Sequence, residues 1–132
     1  MPTQTPYSAQ VIDHFAAPRN LGRLPDANGR GVVGDLQTDD VRIEIAIRVE
    51  GGRIAAARFR TFGCSAAIAA SSIATTLIAD RTVQAAADIT PAQIAAALGG
   101  LPPERLYAPE MAAMAVHRAV ADWERHVEGV TS

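Results

Sequence analysis

The chain contains one cysteine, Cys64, and one strongly acidic turn, and any thiol or metal chemistry has to start from these. Cys64 follows Arg60-Thr61-Phe62-Gly63, where a strand should end, and precedes a run of small residues that should form a helix. Amide groups at a helix start favour the thiolate, which is the form that attacks sulfur and binds soft metals. Arg60 would add to this if its side chain reaches the sulfur. A free cysteine is just as often a small buried apolar residue, and local context leaves both readings open. The acidic turn runs from Gly34 to Asp40. Its ordinary reading is a solvated loop entering a strand; adjacent carboxylates suit a hard cation only when they aim at one point. His14, His117 and His126 lack the spacing of a metal motif, and His14 reads as a helix-surface or packing residue. Leu101-Pro102-Pro103-Glu104-Arg105 reads as a stiff, exposed, extended segment suited to a partner or simply to joining helices.

Composition narrows the chemistry further. With 132 residues and 48 % hydrophobic content, one domain with a single core is expected over residues 1–132. All 12 basic residues are arginine, so a lysine Schiff base is excluded. A net charge of −2 gives no footprint for nucleic acid. Met1 to Pro6 has no positive region followed by an apolar run, and no stretch is apolar enough to span a membrane. One cysteine cannot form an internal disulfide, which is compatible with a reducing cytoplasm.

The elements that must position these residues follow from periodicity. Residues 1–7 read as a loose arm. Ser8 caps a short helix with Val11, Ile12 and Phe15 on its apolar face, ended by Pro18. Arg19 to Gly34, rich in Gly, Pro, Asn and Asp, reads as a long surface loop. Val41, Ile43, Ile45, Ile47 and Val49 alternate with polar or small residues and predict a half-buried strand. Gly51-Gly52 turns the chain into a second strand ending near Phe62. A two-residue turn would place Arg58 and Arg60 beside the isoleucines, so a three-residue loop with a bulge is expected, putting Ala57, Phe59 and Thr61 on the core side. Helices should follow over 65–79, over 82–87, from Thr90-Pro91 to Gly99-Gly100, and after Pro109. The last carries Val116, Val120, Trp123 and Val127 as its apolar stripe. A hairpin followed by helices gives an α+β fold with helices on one face of a small antiparallel sheet.

Several segments together resemble the U-type iron–sulfur scaffold family (IscU, SufU and the N-terminal part of NifU). They are Tyr7-Ser8 with Val11-Ile12-Asp13-His14-Phe15, Pro18 to Gly22, Ala57 to Cys64, Ala67 to Ser72, Leu101 to Arg105, and Ala119 to Trp123. The resemblance implies a three-stranded antiparallel sheet with helices. It also implies a site of three cysteines, an aspartate and often a histidine. Carried over by position, the first cysteine falls on Thr38, the aspartate on Asp40, the second cysteine on Cys64, and the histidine–cysteine pair on Tyr107-Ala108. Only Cys64 and Asp40 remain as ligand candidates, too few for zinc or for a [2Fe–2S] cluster. An iron–sulfur cluster, iron or zinc would therefore need ligands from another chain.

Three expectations follow from the resemblance. Cys64 accepts sulfur as a persulfide from a cysteine desulfurase; a homodimer, or a heteromer with a complete scaffold, shares a labile metal or cluster; or the chain is a non-catalytic binding module of the assembly machinery. Each makes it a scaffold or carrier rather than a turnover enzyme. Chaperone contact would run through Leu101–Arg105, where Glu104-Arg105 departs from the family form. A cytoplasmic location, without nucleic-acid or membrane partners, completes the expectation.

Overall fold

The computed structural model describes residues 7–35, 37 and 40–131, the last four of these as backbone only. Helix α1 (Ala9–Ala16) leads into strands β1 (Gly29–Val33), β2 (Arg42–Glu50) and β3 (Arg53–Phe62). Helices α2 (Ser65–Ile78), α3 (Val83–Ala87) and α4 (Pro91–Ala97) follow, then a 3-10 turn (Pro103–Arg105) and the long α5 (Tyr107–Thr131). The strands form an antiparallel sheet in the order β1-β2-β3, so the α+β arrangement stands as expected.

The isoleucines of β2 set the layers. Ile43, Ile45 and Ile47 are fully buried, and α2 and α5 cover their face. Phe59 pairs with Ile45 and Ala57 with Ile47 on that same face. The parity is as expected, but its cause is different. Glu50 pairs with Arg53 across a two-residue Gly51-Gly52 turn, with φ of +59° and +76°. The extra residue lies inside β3 instead: Arg48 pairs with Ala56 and Val49 with Ile54, which leaves Ala55 bulged. A bulge shifts side-chain parity just as an odd loop would, and it leaves the glycine turn free to match the strand twist.

Part of the expected 19–34 loop is structured. β1 occupies its end, and Gly29 and Gly31 pair opposite Ile47 and Ile45. A Cβ at Gly31 would lie 2.0 Å from the Ala115 carbonyl oxygen, and one at Gly29 would lie 2.5 Å from that of Ala119. The glycines that look like loop residues are what lets α5 lie directly on β1. Nearer the start of the segment, Phe59 N–H donates to the Asn20 carbonyl and Gly22 N–H to the Phe59 carbonyl, both at 2.9 Å, so Asn20–Gly22 covers the free edge of β3.

The helices follow their capping signals. Ser8 accepts from the Val11 amide and donates to the Leu98 carbonyl, tying α1 to the end of α4. Thr90 and Gln93 form a reciprocal capping box with Pro91 in the first turn. His14 is buried, with Nδ1 2.7 Å from the Ser72 hydroxyl of α2, so it is a packing residue.

Four expectations are corrected. Tyr7 is not loose: its hydroxyl accepts from Arg105 Nε at 3.1 Å, while residues 1–6 of the expected arm lie outside the described residues. Pro103–Arg105 coils into a 3-10 turn, leaving only Leu101-Pro102 extended, because proline tolerates the first turn of a helix. For the same reason α5 begins at Tyr107 and holds Pro109 in its first turn. Its buried stripe ends at half-buried Trp123; Val127 is exposed.

Candidate functional site

Gly63 joins β3 to α2 with φ of +142°, and a Cβ there would press 3.0 Å from a Val41 methyl. This tight passage fixes Cys64 as the N-cap residue of α2, with extended backbone (φ −82°, ψ 171°). A helix N-cap faces unpaired amides, and although Cys64 makes no side-chain capping bond, the Ala66 and Ala67 amides lie near enough to favour its thiolate. The thiol is partly exposed.

The second wall of the site is the start of α5. The Tyr107 hydroxyl lies 2.6 Å from Cys64 Sγ. Burial pushes the Cys64 thiol up, but the Tyr107 hydrogen bond, the Ala67 and Ala66 amides and the nearby Arg105 charge outweigh it, and the net shift is downward. The Tyr107 phenol moves the other way, to about 12, through burial and then through the hydrogen bond and charge of Cys64. At neutral pH the phenol keeps its proton, and it donates to the sulfur in a charge-assisted hydrogen bond when the sulfur is thiolate.

Arg60 does not take the part expected of it. Its guanidinium pairs with Glu44 at 2.9 Å on the opposite face of the sheet. Arg105, held by Tyr7, supplies the positive charge instead.

Asp40 lies at the same end of the sheet as Cys64, since β2 begins where β3 ends. It is exposed and lines a hollow of about 370 Å³ with Val33, Gly34, Val41 and Met111. Val41 stands between this hollow and Gly63. Thr38 falls outside the described residues, and Ala108 is fully buried. The structure thus brings Tyr107 and Cys64 together and adds Tyr7 and Arg105, which sequence reasoning missed. The family resemblance marks Tyr107 only as the place of an absent histidine, and its spacing from Cys64 carries no local signal.

Residues 6–129 match the model of the NifU-like N terminal domain. The chain belongs to that family. Among curated relatives of this NifU-like chain, iron-sulfur cluster assembly scaffold protein IscU 1 of Archaeoglobus fulgidus is 44 % identical over 119 residues, covering 90 % of this chain and 77 % of the relative. The scaffold protein IscU of Azotobacter vinelandii is 42 % identical over 129 residues, covering 94 % and 98 %. The fold of a nitrogen-fixing NifU-like protein (N-terminal) from Brucella abortus superposes with a TM-score of 0.64 at 14 % identity, covering 89 % of this chain and 94 % of that one.

Within this NifU-like frame, the donor set does not fit an iron–sulfur cluster. Such a cluster needs four ligands, chiefly thiolates, and a structural zinc ion needs at least three protein ligands. The whole chain offers one thiol, and no three His, Cys, Asp or Glu side chains among the described residues are grouped to hold a metal. Among the described residues, no helix is long and apolar enough to cross a membrane.

Proposed function

We propose that this NifU-like chain serves iron–sulfur cluster assembly as a single-thiol sulfur acceptor, with Cys64 taking sulfane sulfur from a cysteine desulfurase. The observation that carries this is the Cys64–Tyr107 hydrogen bond at a partly exposed helix N-cap, in surroundings that favour the thiolate. The relatives named IscU support the pathway.

The transfer needs no metal and no external redox partner. The Cys64 thiolate attacks the outer sulfur of the donor persulfide, R–S–SH. A new S–S bond forms on Cys64, the donor S–S bond breaks, and R–S⁻ leaves with the electron pair. The products are Cys64–S–SH and a donor thiolate, which takes a proton from water. Tyr107 holds the attacking sulfur in place, and Arg105 favours its charge. An iron–sulfur cluster, iron or zinc is cargo in this reading, held only with ligands from a second chain. The protein acts as a carrier rather than a turnover enzyme.

The test is incubation with a cysteine desulfurase and labelled cysteine, followed by intact mass measurement. A gain of one sulfur atom that is labile to reductant and absent from Cys64→Ser is expected. No gain, or an equal gain in Cys64→Ser, overturns the reading and favours the non-catalytic binding module.

A further inference from the structure

The sheet face turned away from α2 and α5 is built from arginine. On that face Arg60 pairs across from Glu44, Arg42 from Phe62, and Arg30 and Arg58 flank Ala46 from the two outer strands. The Glu44 side chain is only 8 % exposed, and Arg60 (2.9 Å), Arg30 (3.3 Å) and Arg42 (3.8 Å) close on it. The carboxylate is buried beneath the guanidiniums, while Arg60 and Arg30 stay 44 % exposed and Arg42 31 %. Arg58 is exposed and makes no salt bridge among the described residues. Four guanidiniums against one carboxylate leave three positive charges here, although the whole chain carries −2. Arg48 engages both Asp26 and Glu50 at the edge of this patch, and counting all three lowers the net charge of the wider face to two positive. At the Cys64 end stands Phe62, the most exposed large apolar side chain among the described residues at 60 %.

Two physical arguments identify the occupant. Arg58 and Arg60 stand two residues apart on one strand, roughly 6.5–7 Å, which is the spacing of same-side side chains along an extended peptide. Alternate carboxylates on such a peptide would meet alternate guanidiniums in register. The buried carboxylate also holds three of the arginines in place beforehand, which lowers the ordering cost of binding. Arginines beside an exposed aromatic are, in addition, the composition of interface hot spots.

We propose that this face docks an acidic, extended protein segment, its carboxylates on Arg30, Arg42, Arg58 and Arg60 and an apolar side chain on Phe62. A segment so placed ends beside Cys64. The surface is independent of the sulfur chemistry, and either can fail without the other.

The test is fluorescence anisotropy with the full chain and a labelled decapeptide that alternates glutamate with serine and carries one leucine. Binding is expected at about 20 mM ionic strength and should weaken by roughly tenfold or more near about 200 mM. Arg58→Glu should weaken it by about tenfold and Phe62→Ser severalfold, while Arg81→Glu, on α3's side of the molecule, leaves it unchanged. Arg58→Gln, with intermediate loss, replaces Arg58→Glu if that variant fails to fold. Absence of binding at low salt, equal losses for Arg58→Glu and Arg81→Glu, or tighter binding of a single-stranded oligonucleotide of the same charge would overturn the proposal.

Discussion

The Tyr107 hydroxyl lies 2.6 Å from Cys64 Sγ, joining the first turn of α5 to the N-cap of α2 across 43 residues of sequence. A phenol stands where the family resemblance places a histidine. Unlike an imidazole beside a thiolate, it offers a proton and remains neutral. The pair is arranged to stabilise a lone thiolate rather than to complete a ligand set.

Tyr107→Phe should raise the Cys64 thiol towards and above its ordinary value, because burial then acts against fewer stabilising partners. Hydrogen bonds to charged groups are worth about 1.5–3 kcal/mol, less where solvent reaches the sulfur. Iodoacetamide alkylation near neutral pH should slow by roughly tenfold, with its midpoint shifted to higher pH. An unchanged pH profile would mean that the phenol does not tune the sulfur.

Gly31→Ala should strongly destabilise the fold. Its new methyl carbon would sit 2.0 Å from one backbone atom of α5 and 2.5 Å from another, and a helix backbone cannot yield as a side chain can. Overpacking of this kind costs about 1–3 kcal/mol or more, a drop in Tm of roughly 5–15 °C. Gly51→Asn is the contrast: its Cβ meets nothing within 4 Å, and asparagine tolerates the φ of +59°. Thermal denaturation followed by circular dichroism should separate the two variants clearly.

His14 makes stability depend on pH. Burial, followed by the Arg19 charge, holds its pKa below the ordinary 6.5, with Asp13 opposing them. Between the lowered folded value and 6.5 the unfolded chain binds more protons, so stability rises with pH. The contribution is fully present above about 6.5 and is lost as pH falls through the folded value. Urea midpoints measured from pH 7.5 down to about 4.5 should fall less steeply in His14→Gln than in the wild type. Parallel slopes would refute the linkage.

Restoring the family ligands should restore metal binding. The proposed register makes Thr38→Cys with Tyr107→His and Ala108→Cys a four-ligand site with Cys64, beside Asp40. Structural zinc sites reach about 10–16 kcal/mol, so calorimetric zinc affinity should rise by orders of magnitude over the wild type. The wild-type monomer, reconstituted with iron and sulfide, should hold no stable cluster by absorbance. A zinc affinity that does not rise in the triple variant would show the positional carry-over to be wrong.

The sequence alone determined what depends on local periodicity and chemistry. The isoleucine alternation of β2, the caps at Ser8 and Thr90, and the small-residue helix after Cys64 are each read within a few neighbouring residues. It also fixed the count of thiols, and with it the limit on cluster ligation, because no fold can supply a ligand atom the chain lacks. Tertiary structure decided the rest, because those features depend on partners distant along the chain. Gly29 and Gly31 become a strand only because the α5 backbone approaches them, which removes the room for a side chain and overrides turn propensity. The Ala55 bulge is set by which face of β3 the isoleucines must meet, not by the turn beside it. The assignment of charges was decided in the same way. Arg60 lies four residues from Cys64 in sequence but is turned by strand alternation to the far side of the sheet, onto Glu44. Arg105, 41 residues beyond Cys64, is brought near it by the 3-10 turn and the bond to Tyr7. Electrostatic influence falls with distance through space, and only the packed fold sets that distance.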